Sequence, residues 1–420
     1  TRSDLINSNN WQELFDDIDK LIEVGALYDS VPKEEMAAMQ DYFDKKCRSF
    51  CIPGFHLLYW QIRLFGQGNE NLKNYLWSYY GFNPFAGGVK NMWEKFTMVE
   101  DGELLYPIFV WWDVKGYDRK VLLDDSADRR YVNFLTMNKE EKYRKIAQWV
   151  CNALKRSILV FYNGDVVLRT FGNNSGSGMT TSNNIEAGFE IVADLLVSAY
   201  FQEHGKLPTY ELLFKQMVAL YGDDNGSALM KCFSLMLNEN FVKERLLNFH
   251  GLVLKEFHSG YQISLTKMTF LGFTFSVDRG VPLPKWNSSR LLLPVCYTER
   301  RSIDPERYVQ QCFAILLMSY PHSWWEEYRA TYIQILQKLS VRYGSPFIKS
   351  MVALGVPNHL EMNYFYTGQE SAVVGPNMLT MFNTQQPLLK LFLEGSFNPY
   401  GNGQTESPVR GRDDKRISPK

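Results

Sequence analysis

The sequence predicts an α+β protein, with strand-like runs joined by helices in its first two thirds and a helical last third. Two observations place the strands. Apolar runs at 104–112 and 217–220 each lead into carboxylates: Asp113 after the first and, past Tyr221-Gly222, the adjacent pair Asp223-Asp224 after the second. A third observation places the helices: beyond residue 285, apolar residues recur at helical spacing with cap signals ahead of them.

Neighbouring aspartates repel, and a shared cation is a common way to tolerate them at a strand end. The expectation is Mg²⁺ held for nucleotidyl transfer. Alone the tripeptide is weak, because a chain of average composition and this length contains Gly-Asp-Asp about one time in ten. A solvated acidic turn is the competing reading.

The 420 residues are 45% hydrophobic and 15% aromatic, enough to bury a large core in two or three lobes. A net charge of −1 excludes a global basic field, although a groove protein can concentrate its cations locally. Cys47, Cys51, Cys151, Cys232, Cys296 and Cys312 form no CxxC, and Cys47, Cys51 and His56 lack a fourth ligand at finger-like spacing. Buried free thiols in a reducing compartment are expected. The longest apolar runs are about half a bilayer span. With no signal peptide and Thr1 at its start, the sequence reads as an excised or polyprotein-derived piece.

Trp11, Leu14, Phe15, Ile18, Leu21 and Ile22 recur at helical spacing and predict an amphipathic first helix. Lys33-Glu34-Glu35-Met36 and Lys45-Lys46-Cys47-Arg48 follow. Such charges ordinarily make a charged helix and a solvated turn; the sharper reading is a cationic arm over a triphosphate. The aromatic segment 57–65 is expected to be largely buried, 81–85 breaks the chain, and 89–96 is a short helix. With Asp113 ending the strand 104–112, two aspartate-ended strands can lie side by side and clamp a pair of metal ions.

A charged amphipathic helix over 138–154 precedes a hairpin, 158–162 with 165–169, whose Asn163-Gly164 suits a two-residue type I′ turn. The glycine-rich loop 173–184 carries hydroxyl and amide groups into a long apolar helix over about 181–200. A linker is the plain reading of that loop, and contact with a sugar and a template backbone the functional one. After Asp224, Asn225-Gly226-Ser227 makes a poor strand, and 228–237 and 241–249 read as helices. Strand character returns at 251–255 and 261–275. Asp304-Pro305 predicts a helix cap and Ser323-Trp324-Trp325-Glu326 a capping box, with Tyr332, Ile335, Leu336 and Leu339 on the apolar face that follows. Residues 401–420 mix charge with glycine and proline and are expected to be a disordered tail.

In this order the motifs resemble those of the RNA-dependent RNA polymerases of positive-strand RNA viruses, in the picornavirus-like group that includes astroviruses and potyviruses. Asp113-x4-Asp118 resembles motif A, and Tyr221-Gly-Asp-Asp224 resembles motif C. Ser175-Gly176-x3-Thr180-x3-Asn184 resembles motif B, with Asn173-Asn174 leaning towards the potyvirus form. Phe270-Leu-Gly-Phe273 is similar to motif E, Lys33-Glu34-Glu35 and Lys46-x-Arg48 to the two ends of motif F, and Gly81-Phe-Asn-Pro84 to the junction before motif A. The resemblance spans 33–275. It implies a right-hand polymerase fold with partial fingers (1–80) and a fingers insertion (125–172). An antiparallel-sheet palm flanked by helices would carry motif A (81–124) and motifs B to E (173–285), followed by a mostly helical thumb (286–400).

The resemblance also implies roles. Asp113 and Asp223, supported by Asp224, would ligate two Mg²⁺ ions, with Mn²⁺ as the natural substitute. Asp118, Thr180 and Asn184 would read the ribose 2′-hydroxyl, and Ser175 and Gly176 would contact template and incoming nucleotide. Lys33, Lys46 and Arg48 would neutralise the triphosphate. Lys255, in the region resembling motif D, would protonate pyrophosphate, against the plain alternative of a surface lysine. Implied partners are an RNA template and primer, ribonucleoside triphosphates and other viral replication proteins, at replication complexes in the host cytoplasm. There are departures: Met36-Ala37 stands where motif F usually has an arginine, and Gly272 where picornaviruses carry a basic residue. Few residues precede Lys33, so an N-terminally truncated polymerase is expected. The rivals are a reverse transcriptase, which would not carry the Ser-Gly-x3-Thr-x3-Asn element, and a non-catalytic RNA-binding relative, which would have lost metal carboxylates.

Overall fold

A run apolar at successive positions is a strand covered on both faces, and Ile-Phe-Val-Trp-Trp-Asp-Val at 108–114 forms such a strand. The structure, a computed structural model, describes residues 27–32, 49–138, 140–161, 163–261, 264–278, 281–296 and 304–368. The expected first helix, Lys33, Lys46, Arg48, Cys47 and the tail lie outside the described residues. The chain divides into two units, 1–82 with 88–288, and 83–87 with 289–420.

The first unit carries β1 (Leu27–Pro32), β2 (Ser49–Pro53), α1 (Phe55–Asn71), α2 (Gly88–Phe96), β3 (Val99–Glu100), β4 (Glu103–Leu104), β5 (Ile108–Val114), α3 (Tyr117–Lys120), α4 (Asp124–Met137) and α5 (Glu141–Lys155). It continues through β6 (Ser157–Phe161), β7 (Val166–Arg169), α6 (Thr180–His204), α7 (Tyr210–Phe214), β8 (Met217–Tyr221), β9 (Asp224–Leu229), α8 (Glu239–His250), β10 (Leu254–Tyr261), β11 (Thr269–Phe270), β12 (Phe273–Asp278) and β13 (Val281–Trp286). Helices α9 (Ser288–Cys296), α10 (Pro305–Met318), α11 (Trp325–Tyr343), α12 (Pro346–Leu354) and α13 (His359–Thr367) follow. No described helix is long and apolar enough to cross a membrane.

The sheet that positions the carboxylates has the order β10-β5-β9-β8, with every pair antiparallel. Strand alternation divides its side chains between two cores. Ile108, Val110, Trp112, Val218 and Leu220 join the core that holds Ile185, Ile191 and Leu195 of α6. Phe109, Trp111, Ala219 and Ala228 face Val89, Met92 and Phe96 of α2 and Phe270, Phe273 and Phe275 of β11 and β12. By parity Asp113 belongs with Phe109 and Trp111. A second sheet, β2-β1-β6-β7, is antiparallel except where β1 meets β6. Helices α1, α4 and α5 pack together, with Phe65 and Phe134 rings 5.9 Å apart and the Arg130 guanidinium buried on Asn69 (2.8 Å) and Glu186 (2.7 Å).

In the second unit, buried tyrosine and tryptophan polar atoms cap carbonyls of α10. Trp325 Nε1 donates to Leu316 O, Tyr328 OH to Cys312 O and Tyr366 OH to Leu317 O. Tyr332 and Leu336 are buried and Ile335 and Leu339 half-buried, the apolar face expected of α11. Asp304 caps α10 ahead of Pro305, as its sequence predicts.

Several expectations are corrected. Pro107 has no N–H to give a ladder, and it separates β4 from β5, so the strand expected at 104–112 is two, and the second continues through Asp113 to Val114. The poor strand at 225–227 and the helix from 228 are overturned: β9 is paired on both sides, and ladder bonds outweigh the low strand propensity of Asn-Gly-Ser. A 3₁₀ segment, Lys231–Leu237, takes the place of that helix. Strand 261–275 is interrupted; β10 carries most of the strand residues before it, and a 3₁₀ turn at Ser264–Lys267 intervenes. In the β6–β7 hairpin Gly164 has φ 88° and Asn163 does not, Phe161 N donates to Asp165 O and Gly164 N to Phe161 O. A turn with only Gly164 of the Asn163-Gly164 pair in the left-handed position is not type I′. Helix α11 starts after Trp324 with no side-chain cap, so 323–326 is not a capping box; the capping box is Asn358 with Glu361, opening α13. Segment 57–65 is one buried helical face, with Ile62 56% exposed on the other. Cys51, Cys151, Cys232 and Cys312 are free thiols.

Candidate active site

Strands β8 and β9 form a hairpin in which Tyr221 pairs with Asp224 across Gly222-Asp223. Gly222 takes φ 61°, the left-handed value that a two-residue turn demands at its first position and that glycine accepts without strain. The turn leaves Asp223 exposed at the tip and Asp224 half-buried at the start of β9. Asp113 is the penultimate residue of β5, and the β5–β9 register, Ile108↔Leu229 to Val110↔Ser227, extends to bring it level with Asp224. Backbone pairing stops short of that point. Asn225 Nδ2 instead donates to Trp112 O at 2.8 Å, satisfying a carbonyl that the ladder leaves over.

Each carboxylate has a different neighbour. The β10–β5 register shifts between Leu254 and Glu256, so Lys255 is the extra residue of a bulge. Bulges re-aim side chains, and Lys255 Nζ donates to Asp113 Oδ2 at 2.6 Å. That hydrogen bond, against slight desolvation, raises the ammonium pKa. Asp224 Oδ2 accepts the Leu271 N–H at 2.8 Å. Leu271 (φ 50°) and Gly272 (φ 74°) make the β11–β12 turn, and a leucine in the left-handed region is strained. Burial, with Asp223 and then Asp113 as like-charged neighbours, pushes the Asp224 carboxyl up to about 7 against the pull of the Leu271 amide. Asp224 is thus a strut for the turn resembling motif E as well as a carboxylate of the site. Asp224→Ala is expected to cost about 1–3 kcal/mol in chemical denaturation, and Asp224→Asn, which keeps an acceptor for the amide, clearly less.

The second constellation joins α3, which follows β5, to the first turns of α6 and the loop before it. Asn184 Nδ2 donates to Asp118 Oδ1 at 2.7 Å, while its Oδ1 accepts from Asn173 Nδ2 at 2.7 Å. Asn184 is buried, so both ends of its amide are committed. Thr180 turns inward: its hydroxyl lies 2.7 Å from Asn174 O and 2.9 Å from Ser177 O. Thus Asp118 and Asn184 meet directly, and Thr180 braces the loop beside them. Tyr117, buried between the two constellations, donates to Asn184 O at 3.2 Å. Burial first, then the Asp223 and Asp118 charges, raise its phenol and keep it a donor.

Ser175 and Gly176 sit partly exposed on this loop. Gly176 N donates to Cys51 O at 2.9 Å, and a Cβ at Gly176 would overlap that oxygen, so only glycine permits the approach to β2. Gln61, on α1, anchors the next residues by accepting from Ser177 Oγ and Gly178 N, both at 3.1 Å. Lys33, Lys46 and Arg48 lie outside the described residues; the strands flanking them pair, with Pro32 opposite Ser49.

The donor set of the first constellation is hard oxygen, the chemistry Mg²⁺ prefers, and the crowding felt by Asp224 is what a cation would relieve. Among the described residues no three such side chains converge as a metal-holding group; Lys255 is on Asp113 and the Leu271 amide on Asp224. Sequence reasoning missed Tyr117, Asn225, Gln61 and Arg169. Tyr117, one residue before Asp118, and Asn225, one residue after Asp224, carried a positional signal; Gln61 and Arg169 are identified by partners distant in sequence.

No family model matches the chain. In sequence it is similar to the non-structural polyprotein 1AB of Human astrovirus-5, 29% identical over 203 residues. It is similar to that of Turkey astrovirus 2 as well, 25% identical over 195 residues. These alignments cover 47% and 46% of the chain but 13% and 12% of the polyproteins. In structure it is similar to the RNA-dependent RNA polymerase of a human picorbirnavirus, with TM-score 0.52 and 14% identity over 77% of this chain and 57% of that one. The resemblance read from the motifs therefore has a counterpart in architecture: the chain has the fold of a viral RNA-dependent RNA polymerase and is a sequence relative of the astrovirus non-structural polyproteins.

Proposed function

We propose that the chain synthesises RNA on an RNA template, joining ribonucleoside triphosphates to an RNA 3′-hydroxyl. The observation that carries this reading is the juxtaposition of two constellations through Tyr117: carboxylates on β5 and the β8–β9 turn, and the Asp118–Asn184 pair. Asp113 and Asp223 would hold two Mg²⁺ ions, with Asp224 adding charge while it supports the β11–β12 turn. Bound there, the ions supply Lewis-acid activation of the 3′-hydroxyl and neutralisation of the leaving pyrophosphate.

The chain's own groups do the rest. Asn184 holds one oxygen of Asp118 and leaves the carboxylate to accept the ribose 2′-hydroxyl; a deoxyribose leaves that acceptor unpaired, which is where discrimination arises. Thr180 keeps the loop in place, and Ser175 and Gly176 present it to template and nucleotide. Asp113 holds the Lys255 ammonium beside the site, where it would give a proton to the leaving pyrophosphate. Lys33, Lys46 and Arg48 neutralise the triphosphate. The helices of the second unit form a thumb, the β2-β1-β6-β7 sheet belongs to the fingers, and other viral replication proteins join at cytoplasmic replication complexes.

Primer extension on a defined RNA template with Mg²⁺ tests this. Ribonucleotide addition is expected, with deoxynucleotides poorer by a factor of about 10² or more. No extension, or a preference for deoxynucleotides, refutes the proposal.

A further inference from the structure

We infer that Arg169 is a positioning residue for substrate choice, clasping the backbone of Asp118 to the loop before α6 and so setting the geometry of the sugar-reading pair Asp118–Asn184. The inference rests on the polymerase reading above. Arg169 ends β7, an edge strand of the other sheet, yet its guanidinium is spent on this site. Nη2 donates to Asp118 O at 2.6 Å and to Asn173 O at 3.3 Å, Nη1 to Asn174 Oδ1 at 2.6 Å, and Nε to Phe171 O at 2.6 Å. None of those acceptors is a carboxylate oxygen, and among the described residues no acid forms an ion pair with Arg169. A full positive charge held wholly by neutral oxygens orders those oxygens around it.

The acceptors come from two segments distant in sequence, one following β5 and one preceding α6. Asn173 N joins them again by donating to Asp118 O at 2.6 Å. The bonds then close into a ring: Arg169 to the Asp118 carbonyl, the Asp118 carboxylate to Asn184, Asn184 to Asn173, and the Asn173 carbonyl back to Arg169. A shift of the guanidinium is transmitted to Asp118 at both its backbone and, through two asparagines, its side chain. Gly172 supplies a second observation. It has φ 83°, and a Cβ there would overlap Arg169 Nη2 and come 2.7 Å from Asp118 O, so the absence of a side chain is what admits the fork. Lysine cannot stand in, because a point ammonium reaches one or two of these oxygens where the planar fork reaches all four.

The test uses the full chain and the variants Arg169→Met, Arg169→Lys and Gly172→Ala. The readouts are kcat/KM for ribo- and deoxynucleotide addition on one primed RNA template, and hydrogen exchange over 172–184. Arg169→Met is expected to lower the ribo-over-deoxy ratio about tenfold, the equivalent of one strong hydrogen bond. Arg169→Lys should recover part of the ratio, and Gly172→Ala should reproduce the methionine variant. Exchange should rise at the amides of Gly172 and Asn173 while Ile191 to Leu196 stay protected. A purely structural residue would slow both substrates alike, so an unchanged ratio in folded Arg169→Met overturns the inference; if that variant does not fold, the lysine and alanine variants decide on the same ratio. A wild-type chain that extends no primer refutes the polymerase reading instead. Exchange then decides the clasp, and unchanged protection at Gly172 and Asn173 overturns it.

Discussion

Asp223→Asn is expected to reduce nucleotide addition on a primed RNA template by about a thousandfold, with RNA affinity little changed. Asp223 stands at the exposed tip of the β8–β9 turn, and asparagine is nearly the same shape as the carboxylate it replaces. The fold should therefore be indifferent to the change, and the loss falls on the charge. Asp113→Asn is expected to match it in rate but to differ in one respect: Lys255 loses the nearer of its two anionic partners and keeps only Glu256 at 3.9 Å, so the Lys255 ammonium pKa falls towards its ordinary value. The double variant should be little worse than either single one, as for groups that act as a unit. Rates from single-turnover primer extension, with RNA binding followed separately, decide the matter. Full synthesis by Asp223→Asn would refute its proposed role as a metal ligand.

Asn184→Ala carries the second large expected effect. Two buried bonds go with the amide: the donor to Asp118 Oδ1 and the acceptor for Asn173 Nδ2. Leaving those groups unpaired should cost about 1–3 kcal/mol of stability, visible as a lower denaturation midpoint at constant slope. The functional cost is separate and larger. With its first oxygen no longer held, the Asp118 carboxylate is free to rotate, and discrimination between ribo- and deoxynucleotides should fall about a hundredfold. Asn184→Asp is worse still, since it sets a second carboxylate against Asp118 with no donor between them. A ribo-over-deoxy ratio unmoved by Asn184→Ala would show that Asp118 is oriented by something else.

Much of the site was legible before any coordinates. Asp113 and Asp223 could be singled out because each follows an apolar run, and Asp118 and Asn184 because the motifs that hold them resemble those of a known family; the structure brings Asp118 and Asn184 together. Helix α6 and strand β8 were found from apolar runs of their own. Helix α4 and strand β9 were not: α4 buries only a few residues, among them Arg130, whose charge makes its segment read as surface. Strand β9 is held by partners on both sides that outweigh its own weak propensity.

What the sequence determined by itself is the inventory: which carboxylates, amides and hydroxyls exist, and in what order along the chain. Tertiary structure alone decided how they are used. Asp224 props the Leu271 turn because β9 passes under β11, Lys255 reaches Asp113 because a bulge adds one residue to β10, and Arg169 reaches Asp118 from a different sheet. In each case the bond joins groups between 47 and 142 residues apart. Contacts at that separation depend on how sheets and loops are brought together, and no local periodicity encodes them.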